Sequence, residues 1–377
     1  MKRIGTTLSS AQQASCRSIS RIVTSPGRAC RLLSPALMAA ALMAGAALPA
    51  QADDAMQWKV LGQPLATGLI QSEKEQPFFE QFAKETGLPI SADYKPVDTT
   101  GIKDTEQLRV LKAGLFDMAS LRMSPNSRDA PVLSGIDLIG LNSDYATARK
   151  VVDAYTPVLD RQLQQRFNTK LLGVWPFGPQ ILFCNAPVSS VSDIAGLKVR
   201  VNDQNLAKFI ESLGATPVPM SFPEVHQALS LGVVDCGVTG PSSANSAGWP
   251  EVTTHQLTLG MGMSMSGYAV SLRAWKQLDE AQQNQLQTAI DRLSDEIWEY
   301  SESLYNDALN CNSGQQPCTT GKSYDLTSVD PSEADLEKVH DALVNISLPT
   351  WAEICDQSTS NCSADWKDSV GPIVGLD

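Results

Sequence analysis

Arg200 is the residue whose setting most constrains chemistry. It lies in the run Gly196-Leu-Lys-Val-Arg-Val201, where strand alternation turns Leu197, Val199 and Val201 to one face and Lys198 and Arg200 to the other. An arginine at the end of a buried strand has to meet an anion, because leaving it unpaired costs several kcal/mol. Two partners would satisfy it, a carboxylate of the chain itself or one carried by a ligand. A ligand carboxylate would sit in the planar fork through two parallel charge-assisted hydrogen bonds, each contributing about 1.5–3 kcal/mol net. Lys198, beside it, is expected to be solvated.

Catalytic groupings are missing from the sequence. Its histidines are His226, His255 and His340, with no His-x-His, no His-Glu-x-x-His and no Gly-x-Ser-x-Gly. There is no phosphate loop or dinucleotide fingerprint, and the acids are scattered. The histidines are therefore expected to be structural or superficial, and the chain is expected to be a non-enzyme that needs no cofactor and no metal.

Cysteines offer the other chemistry. Of eight, Cys16 and Cys30 fall before residue 52, and Cys184, Cys236, Cys311, Cys318, Cys355 and Cys362 follow it. An even number in an oxidising compartment favours disulfides. Cys311/Cys318 and Cys355/Cys362 each enclose a polar loop and are expected to pair locally. Cys184, in Ile-Leu-Phe-Cys, and Cys236, in Val-Val-Asp-Cys, both sit in strand-like runs and are expected to bridge neighbouring strands. A zinc site is the rival reading, but two Cys-x6-Cys spacings without a nearby histidine support it weakly.

The start of the chain explains why that compartment is oxidising. Residues 1–35 are basic and rich in Ser and Arg, an apolar run of about 13 residues follows from Ala36 to Leu48, and Ala50-Gln-Ala52 closes it. This order is that of a secretory signal cleaved after Ala52, and the run is shorter than the ~20 residues that cross a bilayer. The expected product is a soluble periplasmic protein. Removing residues 1–52 takes away six of 29 basic residues and none of 41 acids, which leaves a net charge of −18. Such a polyanion is repelled by DNA and RNA, so no nucleic-acid partner is expected.

The elements that must position Arg200 read as α/β units, and the remaining length suits two lobes. Pro77 to Thr86 has a helical face of Phe78, Phe79 and Phe82, stopped by Gly87. Two stretches share one punctuation: Leu111-x-x-Gly114-x-x-Asp117 and Leu229-x-x-Gly232-x-x-Asp235 each end a helix at a glycine and enter a buried strand, one in each lobe. Asn205 to Leu213 and Pro223 to Leu231 are short helices. Asp279, with Gln282 three residues on, caps a helix running to about Asn310, nearly 45 Å at ~1.5 Å per residue, long enough to span two lobes. The tail from Cys311 is expected to be a loop-rich brace with one short helix near Pro331 to Val344.

Three runs together carry a resemblance: Ser192-Asp-Ile-Ala-Gly-Leu-Lys-Val-Arg-Val201, Leu213-Gly-Ala-Thr-Pro-Val-Pro-Met-Ser-Phe-Pro-Glu-Val225 and Ala228-Leu-Ser-Leu-Gly-Val-Val-Asp235. The chain resembles the solute-binding proteins of tripartite ATP-independent periplasmic (TRAP) transporters, of the dicarboxylate-binding-protein family. The order of elements from Trp58 to Asn310 agrees with this; the cysteine-bearing tail has no counterpart in the resemblance.

The resemblance implies an α/β fold of two lobes, with crossing hinge strands and a long helix spanning both. The implied boundaries are 53–175 plus about 263–305 for the first lobe, and 176–262 plus about 306–377 for the second, after the signal segment 1–52. It also implies capture of a small organic acid by lobe closure, with Arg200 as the carboxylate ligand, and membrane subunits of a TRAP transporter as partners. Asn202, Phe222 and Thr239 fall where the family lines the cleft, Thr239 being displaceable by Gly240. Gln180 stands where sialic-acid-type members carry a further arginine, which argues for a ligand with fewer anionic groups. Gln63 and Arg122 are the first-lobe candidates. His226, Trp175 and Trp249 either border the cleft or pack in the core. A periplasmic enzyme acting on a small acid and a ligand-sensing receptor subunit are the alternatives.

Overall fold

A computed structural model describes residues 56–142 and 144–376; the expected signal segment, 1–52, lies outside them. The first sheet is built from β1 (Met56–Gly62), β2 (Ile90–Pro96), β3 (Met118–Arg122), β4 (Thr169–Pro179) and β10 (Met263–Ser271), in the order β2-β1-β3-β10-β4. The second contains β5 (Ile181–Cys184), β6 (Lys198–Val201), β7 (Thr216–Pro219), β8 (Cys236–Thr239), β9 (His255–Leu257) and β11 (Thr327–Val329), in the order β11-β9-β5-β8-β6-β7. The result is the expected two-lobed α/β architecture.

The chain passes between the sheets where β4 runs into β5 and where β9 leads to β10. These crossings are tied to each other: the Gln180 amide donates to the Gly262 carbonyl at 2.8 Å, and the Met261 amide donates to the Gln180 carbonyl at 2.9 Å. Two hydrogen-bonded crossing segments make a narrow connection that rotates more easily than it slides.

The shared punctuation marks equivalent places in the two lobes. Gly114 (φ 72°) and Gly232 (φ 67°) take the left-handed conformation that only glycine adopts without steric cost. The aspartate that follows each clamps the neighbouring strand. Lys59 donates its amide to Asp117 at 2.9 Å, and Lys198 donates its amide to Asp235 at 2.8 Å. Gln63 and Asn202, each four residues beyond its lysine, therefore stand at matching carboxyl ends of parallel strands, where open α/β sheets bind ligands.

The long helix spans Glu280–Asn312, with the Asp279/Gln282 capping box formed. At 33 residues it is about 50 Å long. Leu286, Ile290, Leu293 and Ile297 enter the first-lobe core. Its far end is held by the second lobe, where Asn245 Nδ2 donates to Asn312 Oδ1 at 2.8 Å and Asn312 Nδ2 to the Pro241 carbonyl at 3.2 Å. Phe78, Phe79 and Phe82 are buried as expected, although their helix breaks at Gln81 into two short pieces before Gly87.

The tail departs from expectation. It holds helices Glu333–Ala342, Leu348–Ser358 and Cys362–Ser369, so it is mainly helical. Val339 and Ala342 join a second-lobe core, but Trp351, Cys355, Cys362 and Trp366 are buried in the first. The indoles of Trp351 and Trp366 donate to the carbonyls of Pro131 and Gly135. Two tryptophans bury more apolar surface there than a polar brace could offer, so residues 348–376 pack on the first lobe instead of the second.

All six cysteines after residue 52 are bonded in the expected pairs, Cys184–Cys236, Cys311–Cys318 and Cys355–Cys362. Cys184 and Cys236 face each other across antiparallel β5 and β8. No helix among the described residues is long and apolar enough to cross a membrane.

Candidate functional site

The first-lobe wall follows from sheet register. Arg122 on β3, Ser266 on β10 and Trp175 on β4 are cross-strand partners, so their side chains share one face of the sheet. Ser120 and Tyr268, two residues along, share it too. Over this face lies Glu75, fully buried, accepting from the Gln63 amide (2.7 Å), Tyr94 Oη (2.8 Å), Ser120 Oγ (2.6 Å) and Tyr268 Oη (3.2 Å). Burial pushes its pKa up, and the four donors pull it back.

The same network orients Gln63. Its Nε2 donates to Ser120 Oγ at 2.7 Å, to Ser266 Oγ at 2.6 Å and to the Ser120 carbonyl at 3.1 Å. Both hydroxyls give their protons elsewhere, Ser120 to Glu75 and Ser266 to the Leu121 carbonyl. Gln63 must therefore present its NH2 group to them, and its Oε1 is left buried without a partner among the described residues. Arg122 is also settled within the lobe. Its NH1 meets Asp104 Oδ2 at 2.9 Å, with both side chains almost wholly enclosed, while Asp104 Oδ1 is buried and unpartnered. Burial lowers the Arg122 pKa and Asp104 counters it.

The second-lobe wall centres on Arg200, which is 4% exposed on β6. Its Nε donates to the Met220 carbonyl at 3.2 Å and its NH1 to the Val238 carbonyl at 3.1 Å. Among the described residues no carboxylate comes within ion-pair distance of it, in contrast to Arg122. Burial, and then the like charge of Arg122, bring its pKa down to about 10, while Asp104 and Asp203 act in the opposite sense. Three units above neutrality, it stays charged at pH 7.

Phe222 joins the walls. Its ring lies 5.9 Å from both guanidinium carbons, Arg122 on one lobe and Arg200 on the other. Phe177 approaches Arg122 at 5.4 Å, and Trp249 stacks behind Phe222 at 5.5 Å. Contact of Arg122 with Phe222 means that the lobes are closed on each other here. Two cations over aromatic faces are better accommodated than in a purely aliphatic wall.

An acidic margin borders this centre. Ser124 donates its hydroxyl to Asp137. Asp137 has its pKa raised well above the ordinary range, first by burial and then by Asp203; Asp203 is raised by burial and accepts from the Leu206 amide at 2.9 Å as the cap of its helix. A cleft of about 740 Å³ opens outside, lined by Ser124 and Arg128 of the first lobe and Asn202, Asp203 and Met220 of the second. Arg200 is not on that surface; it lies beneath Met220, in the closed contact.

Of the residues singled out in the sequence, Arg122, Arg200 and Phe222 come together, and Gln63 stands on the same first-lobe wall. Thr239 is buried next to Val238, whose carbonyl Arg200 holds. Asn202 lines the outer cleft. Gln180 sits at the strand crossing and donates Nε2 to the Gly178 carbonyl at 2.9 Å. Trp175 and Trp249 are fully buried packing residues, and His226 lies beside Gly248. Sequence reasoning passed over Asp104, Glu75, Phe177, Asp137 and Asp203. Only Asp137 carried a signal, as an acid inside the apolar run Gly135-Ile-Asp-Leu-Ile139; Glu75 and Asp104 sit in charged stretches that read as surface.

A two-lobed α/β frame with paired crossing strands, closed around a buried arginine, defines the class of extracytoplasmic solute-binding proteins. The sequence profile of the bacterial extracellular solute-binding protein family 7, DctP, matches residues 71–317, and the chain belongs to that family. It is 28% identical to the C4-dicarboxylate-binding periplasmic protein DctP of Rhodobacter capsulatus over 233 residues, 60% of this chain and 67% of that one. It is 29% identical to the sialic acid-binding periplasmic protein SiaP of Vibrio cholerae over 195 residues, 51% of this chain and 60% of that one.

Among solved structures, a Bordetella pertussis extracytoplasmic solute receptor binding pyroglutamic acid superposes with a TM-score of 0.72 at 18% identity, covering 84% of this chain and 99% of the other. A TRAP periplasmic solute-binding protein from Desulfovibrio salexigens with bound orotic acid gives 0.74 at 16% identity, over 84% and 99%. The chain thus shares the fold of these solute-binding proteins.

Proposed function

We propose that this protein captures a small organic carboxylate between its lobes, with Arg200 as the principal anion ligand, and delivers it to the membrane subunits of a TRAP transporter. The observation that carries this reading is a charged guanidinium, 4% exposed, that among the described residues donates only to the Met220 and Val238 carbonyls and meets no carboxylate within ion-pair distance. A buried cation in that state is stabilised by an anion arriving from outside. In this reading Gln63 and Arg122 form the first-lobe wall, Phe222 and Thr239 the second, Asn202 borders the entrance and Gln180 belongs to the hinge.

The first lobe comprises the first sheet, the near part of the long helix and the tail from Leu348; the second lobe comprises the second sheet. Opening separates Arg122 from Phe222 and exposes Arg200. A carboxylate bridging the walls raises the closed population by as much as it prefers that state. The secretory segment 1–52 places the mature chain in the periplasm, where the disulfides persist. Native mass spectrometry of protein purified without added ligand, followed by thermal shift with the acid so identified, tests the reading. A retained acid that stabilises the protein and is returned unchanged supports it; conversion of the acid would point to an enzyme.

A further inference from the structure

The buried polar groups of the two walls restrict which acids they can pair with. We infer that the ligand is a monocarboxylate carrying a hydrogen-bond donor, a hydroxyl or ring N–H, away from its carboxylate, and that dicarboxylates are disfavoured. This inference rests on the capture reading above and narrows it.

Charge is the first ground. The site holds two buried guanidinium groups. Arg122 is neutralised by Asp104 at 2.9 Å, and only Arg200 lacks a carboxylate among the described residues. One anionic group therefore completes the pairing. A second would find no free buried cation here among the described residues: Arg128 and Lys103 at the entrance are exposed, where an ion pair contributes little. Within the closed contact it would leave water without gaining a counter-charge, and an unpaired carboxylate buried in a low-dielectric space is costly.

The second ground is independent of charge. Two acceptor atoms on the first-lobe wall, Gln63 Oε1 and Asp104 Oδ1, are buried without a donor. Gln63 cannot relieve its orphan by flipping, because Ser120 and Ser266 have already donated their protons and need the NH2 group. A buried acceptor without a donor costs free energy that a ligand O–H or N–H restores. A second carboxylate has only acceptors to offer these atoms. The acid thus needs one end for Arg200 and a donor for the opposite wall.

The test is calorimetric titration of the mature chain, stripped of ligand by unfolding and refolding with its disulfides intact. Three matched pairs are compared: 4-hydroxybutyrate with 4-methoxybutyrate, 4-hydroxyphenylacetate with 4-methoxyphenylacetate, and orotate with 3-methylorotate. Succinate, L-malate, glutarate and galactarate form the dicarboxylate set. The best monocarboxylate is expected to bind at least fivefold more tightly than every dicarboxylate, and capping its donor is expected to weaken it at least fivefold. A dicarboxylate within fivefold, or a capped acid within fivefold of its parent, overturns the inference and leaves capture of carboxylates standing. Binding of no acid from either set sinks both. Gln63→Leu should bring the parent and capped acids within twofold of each other; an unchanged ratio removes Gln63 from the assignment. Should that variant fail to fold, the capped pairs on the native chain still decide.

Discussion

Replacing Arg200 by alanine separates a binding role from a structural one, because the two predict opposite patterns. A carboxylate in the fork makes two charge-assisted hydrogen bonds, each contributing about 1.5–3 kcal/mol. Losing both gives about 3–6 kcal/mol, or roughly 10²–10⁴ in Kd. The ligand-free protein should respond differently. Alanine leaves the Met220 and Val238 carbonyls without their donor but also removes a buried charge that has no counter-ion among the described residues. These effects oppose each other, so unfolding should change by no more than about 1 kcal/mol, or about 2–4 °C in Tm. Arg200→Lys keeps the charge without the bidentate fork and should fall between alanine and the native residue. Titration calorimetry with the acid retained by the native protein gives the Kd, and scanning calorimetry of the stripped protein gives the Tm. An affinity within threefold of the native value, with a Tm lowered by 8 °C or more, would refute the reasoning, since Arg200 would then be holding the fold and not the ligand.

Other consequences can be measured directly. Arg200, with its pKa held at about 10 by burial, must be protonated to bind an anion; affinity should be flat from pH 7 to 9 and fall about tenfold per unit once pH passes above the free-protein value, as read by titration calorimetry. Asp137 has its pKa raised in the fold, so the stability it contributes is present at low pH and lost as pH rises through the folded value. Asp137→Asn should therefore match the native Tm at pH 4 and exceed it at pH 8. The Cys184–Cys236 bridge closes a loop with a sequence separation of 52, which by chain entropy stabilises the fold by about 4 kcal/mol; the double alanine variant should unfold at correspondingly lower denaturant. Trp351→Ala, which empties a fully buried site in the first lobe, should cost about 3–5 kcal/mol.

The long helix, the glycine stops and the strand bearing Arg200 were legible because each is a local pattern. Asp279 and Gln282 lie three residues apart, Gly114 and Gly232 each follow a helix, and Val199 and Val201 alternate with Arg200. What escaped depends on distant chain meeting distant chain. Phe222 between Arg122 and Arg200 joins residues 100 and 22 positions apart on different lobes, and no periodicity encodes that. Gln63 and Arg122 were reachable only through the family resemblance. Asp104 looks like any surface acid until Arg122 covers it. The tail was misjudged because its buried residues, Trp351, Cys355, Cys362 and Trp366, are sparse among polar neighbours and their apolar weight lies in two indoles. Hydropathy averaged over a window dilutes such anchors.

The helix Glu280–Asn312 also limits what the two halves can do to each other. Seated among aliphatic side chains near one end and held through paired asparagine amides at the other, it acts as a splint laid across the joint. Excursions that would shear the halves apart must first tear out one of those anchorages, leaving a swing about the Gln180 crossing as the soft coordinate. A dye on each half would therefore report an arc of fixed radius, and shortening or kinking the splint with an inserted proline should scatter that arc without touching any atom that meets the solute.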